Sequence, residues 1–136
     1  MTDKIISPEV AKLLEGQNLA FVATLMKDGS PQITPTWIDL VDDVIIVNTA
    51  EGRVKQKNVS RDPRVGISIV DQNNPYHMVT IRGKVMEQTT IDADKHIDKM
   101  AKKYLGVDKY PFVAQGEKRI LLKIAPQKIF YMPPRS

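Results

Sequence analysis

The chain has 136 residues, 42% apolar and 26% charged, which are the proportions of one globular domain long enough to bury a real core. Cysteine is absent, which excludes disulfides, thiolate metal sites and a cysteine nucleophile, and fits a cytosolic protein. The formal charge is +4 with both signs interspersed and no cationic run, which argues against a nucleic-acid partner and leaves small anions as candidate ligands.

No apolar run approaches the roughly 18 residues of a membrane span. The start, MTDKIISPEV, lacks a basic region leading into an apolar core, so no secretory signal is read there. Ser7 and Pro8 suit the N-cap and first position of a short helix bearing Val10, Leu13 and Leu14, with Gly16 placed to end it in a left-handed conformation. NLAFVATLM (18–26) is strand-like, and Asp28-Gly29 gives a hairpin turn into PQITPTWIDLV. Asp42-Asp43 then leads into VIIVNT, so three antiparallel strands in a meander are expected. NTAEGRVKQKN (48–58) opens a short helix that closes at Arg61-Asp62-Pro63-Arg64. VGISIV (65–70) is a further strand and DQNNP (71–75) a polar loop. HMVTIRGKVMEQ alternates, with Val79, Ile81 and Val85 on one face. Thr90 caps the longest helix, about 91–105, whose stripe is Ala93, Ile97, Met100, Ala101 and Tyr104, with Gly106 at its end. RILLKI and QKIFYM supply one long or two short strands.

Neither a repeat nor a linker divides the chain, so residues 1–136 read as a single domain. The class is mainly β (α+β), a small antiparallel barrel with helices on its flanks. A barrel of this size fills its interior with its own side chains, so a large ligand must lie outside it or between subunits.

The segment NTAEGRVKQKN packs Arg53, Lys55 and Lys57 beside Gly52 where a strand gives way to a helix. A helix N-terminus offers unpaired N–H groups and partial positive charge, Gly52 permits close approach, and Thr49 adds a hydroxyl. Arg53 can fork onto an anion while Lys55 acts as a point charge. Lys57 lies on the Arg53 face and is the weaker candidate. Spacing alone favours a solvated helix end, although cations there run against the helix dipole. Asn58 serves either a ligand or the helix end. In PQITPTW, Gln32, Thr34 and Thr36 share one uncharged polar face suited to a heteroaromatic ring edge; the alternative is an ordinary solvent-facing strand. Trp37, on the other face, is assigned to the core.

Catalytic side chains are scarce. His96 sits in the charged helix and is expected to be exposed, and His77 begins a strand. No nucleophile elbow or His pair is present. The acids Asp42, Asp43, Asp92 and Asp94 have turn and helix-start roles. Chemistry carried by a bound organic cofactor needs few such groups.

Five collinear stretches, ATLMKDGSPQITPTWIDL, VNTAEGRVKQKN, RDPRVGISIVDQNNPY, IRGKV and YLGVDKYP, resemble the split-β-barrel flavin and deazaflavin oxidoreductases related to pyridoxamine 5′-phosphate oxidase. The likeness spans about residues 10–130 and is strongest to the short deazaflavin (F-420) branch. It implies a homodimeric antiparallel split β-barrel of six to seven strands with the cofactor in an intersubunit groove. By the same likeness, Arg53 and Lys55 hold the cofactor phosphate with Asn48, Thr49, Val54 and Asn58 nearby, and Gln32, Thr34 and Thr36 line the ring. Pro75, Tyr76 and His77 approach from the partner, with Tyr76 or His77 as the proton donor. The implied activity is hydride transfer from reduced F-420 to a conjugated small molecule. FMN shares the ribityl phosphate, so an FMN-dependent oxidase or reductase is the alternative, as is a non-catalytic protein holding a flavin or tetrapyrrole. The chain ends in FYMPPRS, without the Arg/Trp-bearing segment of pyridoxamine phosphate oxidases, which argues against that substrate.

Overall fold

The computed structural model describes residues 5–135. In chain order the elements are α1 (Pro8–Glu15), β1 (Ala20–Leu25), β2 (Pro31–Thr36), β3 (Asp39–Val41), β4 (Val44–Ala50), α2 (Val54–Arg61), β5 (Arg64–Asp71), β6 (Asn74–Thr89), α3 (Ala93–Leu105) and β7 (Arg119–Met132). The strands form one seven-stranded antiparallel sheet in the order β2-β1-β5-β6-β7-β4-β3. Among the described residues, no helix is long and apolar enough to cross a membrane.

The two edge strands, β2 and β3, are separated in sequence only by Trp37 and Ile38. Three Cα steps from Thr36 to Asp39 reach at most about 11 Å. The sheet must therefore curl until its edges nearly meet, yet no ladder joins them. This is a barrel left open along one seam. Its interior holds a continuous apolar core in which Leu14, Ile38, Ile45, Ile69, Ile81 and Ile124 are fully buried.

The expected meander does not form. β1 and β2 make the predicted hairpin, but PQITPTWIDLV breaks at Trp37, and β4 pairs with β3 and β7 rather than with β2. β7, which begins 69 positions after β4 ends, supplies Leu121, Leu122 and Ile124 to the β4 ladder, which local pattern cannot reveal. DQNNP is a tight turn rather than a loop, since Asp71 pairs directly with Asn74. RILLKI and QKIFYM form one strand, bulged where it meets β6. Gly83 lies at one bulge, where an added Cβ would come within 2.7 Å of Ala125 O.

Helix ends differ in detail. Ser7 caps α1 through Val10 N as expected. Gly16 ends it with extended backbone at φ −73°, not left-handed, because its N–H bonds Lys12 O without a reversal. α3 is preceded by Asp92 at φ 61°, and Thr90 contributes its backbone carbonyl to Ala93 N rather than a side-chain cap. Gly106 is left-handed at φ 73°, as the sequence predicts.

Candidate functional site

β3 pairs only with Val44–Ile46 of β4, so the outer edge of β4 beyond Ile46 faces the seam without a strand partner. Asn48 and Thr49 lie on this stretch and are both buried. Opposite, β2 turns Gln32, Thr34 and Thr36 into the seam, half-buried, while Ile33 on its other face is 61% exposed. The polar face is therefore the inward one, against the solvent-facing reading. Between the strands runs a groove with a 500 Å³ lobe lined by Gln32, Thr34, Pro35, Thr36, Asn48, Thr49, Gly52, Arg53, Val54 and Lys55.

The β4–α2 turn closes this lobe. Gly52 is at φ 88°, a conformation that suits glycine and swings the chain into α2. Arg53 occupies the N-cap position without capping through its side chain. The N–H groups of Val54, Lys55 and Gln56 find no backbone acceptor, because the first intrahelical bond runs from Lys57 N to Arg53 O. The helix start thus presents bare donors together with two cations.

Lys55 is half-buried and forms no ion pair among the described residues. Burial, then the positive charges of Arg53 and Arg119, push its ammonium below the ordinary lysine range. A cation held against that cost lacks an anion. Lys57 is exposed, as expected of the weaker candidate. Thr34 Oγ1 is buried with no hydrogen-bond partner among the described residues, so the β2 face also holds an unmet polar group.

A second lobe of 260 Å³ shares Pro35, Thr36, Asn48 and Arg53 with the first and continues past Trp37, Tyr110, Phe112 and Arg119. Trp37 is half-buried and lines this lobe with one ring face stacked on Tyr104 at 5.3 Å, so it is not simply core. Arg119 is buried. Its Nε donates to Asn48 Oδ1 at 2.8 Å and its Nη1 to Glu117 Oε1 at 2.9 Å. Arg53 Nη2 donates to the same Glu117 oxygen at 2.8 Å.

Both N–H donors of the Asn48 amide are committed. With Oδ1 held by Arg119, its Nδ2 donates to Ala93 O at 2.9 Å and to His96 Nδ1 at 3.1 Å. His96 Nδ1 must accept, so the ring proton sits on Nε2 and is donated to Asp39 Oδ2 at 2.9 Å. His96 is therefore largely buried in a polar chain, contrary to the exposed position expected for it; α3 rolls its His96 edge onto the β3–β4 corner.

Four sequence candidates fall outside the groove. Asn58 is buried beneath α2, donating to Thr24 Oγ1 at 2.9 Å and accepting from Arg61 Nη2 at 3.0 Å, so its amide is spent on the fold. Pro75, Tyr76 and His77 lie on the β5–β6 hairpin and line neither lobe. His77 has both ring nitrogens engaged, with Asp71 Oδ2 at 3.0 Å and Tyr131 OH at 2.9 Å. Tyr76 is 57% exposed with Arg135 over its ring. The residues missed by the sequence reading are Arg119, Glu117, Tyr110 and Phe112. Arg119 carried one signal, a cation heading an apolar strand, but its place beside Ala50 depends on the β4–β7 pairing.

The family model described as pyridoxamine 5′-phosphate oxidase matches residues 6–133. A solved F420 reductase is 26% identical and superposes with a TM-score of 0.80, covering 91% of this chain and 98% of that one. HupZ of Group A Streptococcus is 22% identical, TM-score 0.67, covering 97% and 100%. The conserved hypothetical protein Rv2991 of Mycobacterium tuberculosis is 23% identical, TM-score 0.70, covering 98% and 88%. The last two likenesses show the fold alone. With nearly its whole length matched, the chain belongs to the pyridoxamine 5′-phosphate oxidase-like split-barrel family.

Proposed function

We propose that this protein is an oxidoreductase that binds reduced deazaflavin (F-420) and passes a hydride to a conjugated small molecule. The observation that carries the reading is the unpaired, half-buried ammonium of Lys55 beside Arg53 at the bare start of α2. A ribityl phosphate supplies the missing anion, and the orphan Thr34 hydroxyl, flanked by Gln32 and Thr36, supplies a partner for a ring edge. The likeness to an F420 reductase favours the deazaflavin over FMN, whose phosphate would fit the same cations.

The residues would divide the work in this way. Lys55, the free donors of Arg53 and the first-turn N–H groups hold the phosphate, with Asn48, Thr49 and Val54 as the floor. Gln32, Thr34 and Thr36 orient the ring. When bound, a reduced deazaflavin would supply one hydride, which carries both electrons, to an electron-poor carbon, and solvent or a side chain would supply the balancing proton.

We also infer that two copies pair across the outer sheet face. A cross-strand row of Phe21, Ser68, Thr80 and Phe130 leaves two exposed phenylalanines flanking small residues, as a self-complementary apolar interface would. Pairing would let Pro75, Tyr76 and His77 of one copy approach the other copy's groove, with Tyr76 or His77 near the ring.

Titrating the purified protein with F-420 and with FMN, following fluorescence, tests the cofactor. Tighter binding of F-420 is expected. Changing both Arg53 and Lys55 to Ala removes two charge-assisted contacts worth about 1.5–3 kcal/mol each, so affinity should drop by at least a hundredfold. Unchanged affinity in that double variant overturns the phosphate assignment.

A further inference from the structure

The aromatic lobe beyond Arg53 has a chemistry of its own. Its walls are Trp37, Tyr110 and Phe112, in which Tyr110 meets Trp37 edge-on at 5.9 Å and Phe112 edge-on at 5.7 Å. Phe112 is 64% exposed, an apolar ring left uncovered at the mouth. A volume of 260 Å³ admits one or two fused rings, not an extended cofactor.

The polar end of the lobe is Arg119, 6% exposed and held over the Tyr110 ring at 5.3 Å. A guanidinium has five N–H donors. Arg119 commits one on Nε to Asn48 and one on Nη1 to Glu117, and its Nη2 has no partner among the described residues. Among the described residues Glu117 is also the only carboxylate paired with Arg53, so two guanidiniums share one negative charge. Both Asn48 N–H donors are spent and its oxygen already accepts from Arg119, so Asn48 has no donor to offer an anion. What remains is a buried, planar, cationic fork at the end of a flat apolar slot.

We propose that this lobe binds a planar conjugated carboxylate of one or two rings, its anion on Arg119 and its ring system against Trp37, Tyr110 and Phe112. A carboxylate can take the remaining Nη1 and Nη2 donors of Arg119 and gives that guanidinium an anion it does not share with Arg53. The bare helix donors and Lys55, which suit a phosphate, lie in the other lobe. That this carboxylate is the acceptor substrate rests on the cofactor reading; its binding does not.

The test is calorimetric titration of the full chain with trans-cinnamate, its uncharged amide cinnamamide, and inorganic phosphate. Emission from Trp37, the single tryptophan, gives a second readout. Cinnamate is expected to bind at least about tenfold more tightly than cinnamamide, as one charge-assisted bond implies. Arg119→Met should erase that preference. Because Arg119 is buried, Phe112→Ala at the exposed mouth provides a variant that keeps the fold, and it should weaken cinnamate and cinnamamide alike by about fivefold or more. Lys55→Met, which lines only the other lobe and meets Arg119 only through charge repulsion, should weaken cinnamate far less than Arg119→Met does while weakening the flavin or deazaflavin, so either reading can fail alone. Equal binding of the two probes, no effect of Phe112→Ala, or displacement of cinnamate by phosphate overturns the proposal.

Discussion

His96 Nε2 lies 2.9 Å from Asp39 Oδ2, joining α3 to the edge strand β3. Through His96 Nδ1 and the Asn48 amide, this contact continues to Arg119 in the aromatic lobe. The helix therefore does more than cover the sheet. It fixes the orientation of a groove residue by hydrogen bonds that admit one arrangement of donors and acceptors.

Asp39 makes the first prediction. Burial alone would raise its pKa, but the hydrogen bonds from His96 and Lys99 outweigh burial and hold it at about 2. The folded value is below the ordinary 3.8, so the contribution is complete above pH 4 and is lost as pH falls from about 4 through 2. The shift corresponds to about 2 kcal/mol. Urea unfolding across pH 2–7 should show this loss in the wild type and not in Asp39→Asn, which should be less stable throughout the neutral range.

Lys103 gives the opposite sign. Its ammonium donates to Leu14 O and Ile38 O at 2.8 Å each, yet burial, eased by Asp39 and reinforced by the positive charge of Lys99, lowers its pKa to about 8. The unfolded chain binds that proton more tightly, so stability should rise as pH climbs from about 8 towards 10, by at most about 1.4 kcal/mol per unit. Lys103→Met should abolish the rise. The measurement belongs below pH 10, because Tyr104, which donates to Asn18 O, has a raised pKa from burial, and its stabilisation is lost as pH rises through that raised value.

Much of this fold was legible because its signals are local. Apolar runs marked β4, β5 and the start of β7, alternation marked β6, Asp28-Gly29 marked the hairpin, and the α3 stripe marked its buried face. The β2–β3 seam was not legible, since it depends on edge strands meeting after the sheet has curled. The same holds for the site. Arg53, Lys55 and Thr49 sit in one short stretch with a recognisable turn, whereas Arg119 and Glu117 reach them only through β4–β7 pairing. Asn58 shares that stretch and still turns away from the groove, because its helical position points at β1.

Lys55 tests the groove by setting function against stability. It carries a partly buried charge with no partner and two cations nearby. Lys55→Met keeps the apolar stem and removes the unmet charge, so the ligand-free protein should gain roughly 2–4 °C in Tm. Affinity for a phosphate-bearing flavin or deazaflavin should fall about tenfold or more at the same time. A loss of both would mean that Lys55 serves the fold.

Thr34 makes the complementary case with a neutral group. Its Oγ1 is buried without a partner, and Val has nearly the same shape without the hydroxyl. An unmet buried hydroxyl costs about 1–3 kcal/mol, so Thr34→Val should stabilise the free protein by about 1 kcal/mol in denaturant unfolding. If a bound ring edge supplies the missing partner, the same change should weaken cofactor binding by about fivefold. The ligand-bound and ligand-free proteins would then respond to one substitution with opposite signs. A hydroxyl that serves only the barrel would move both stabilities in the same direction.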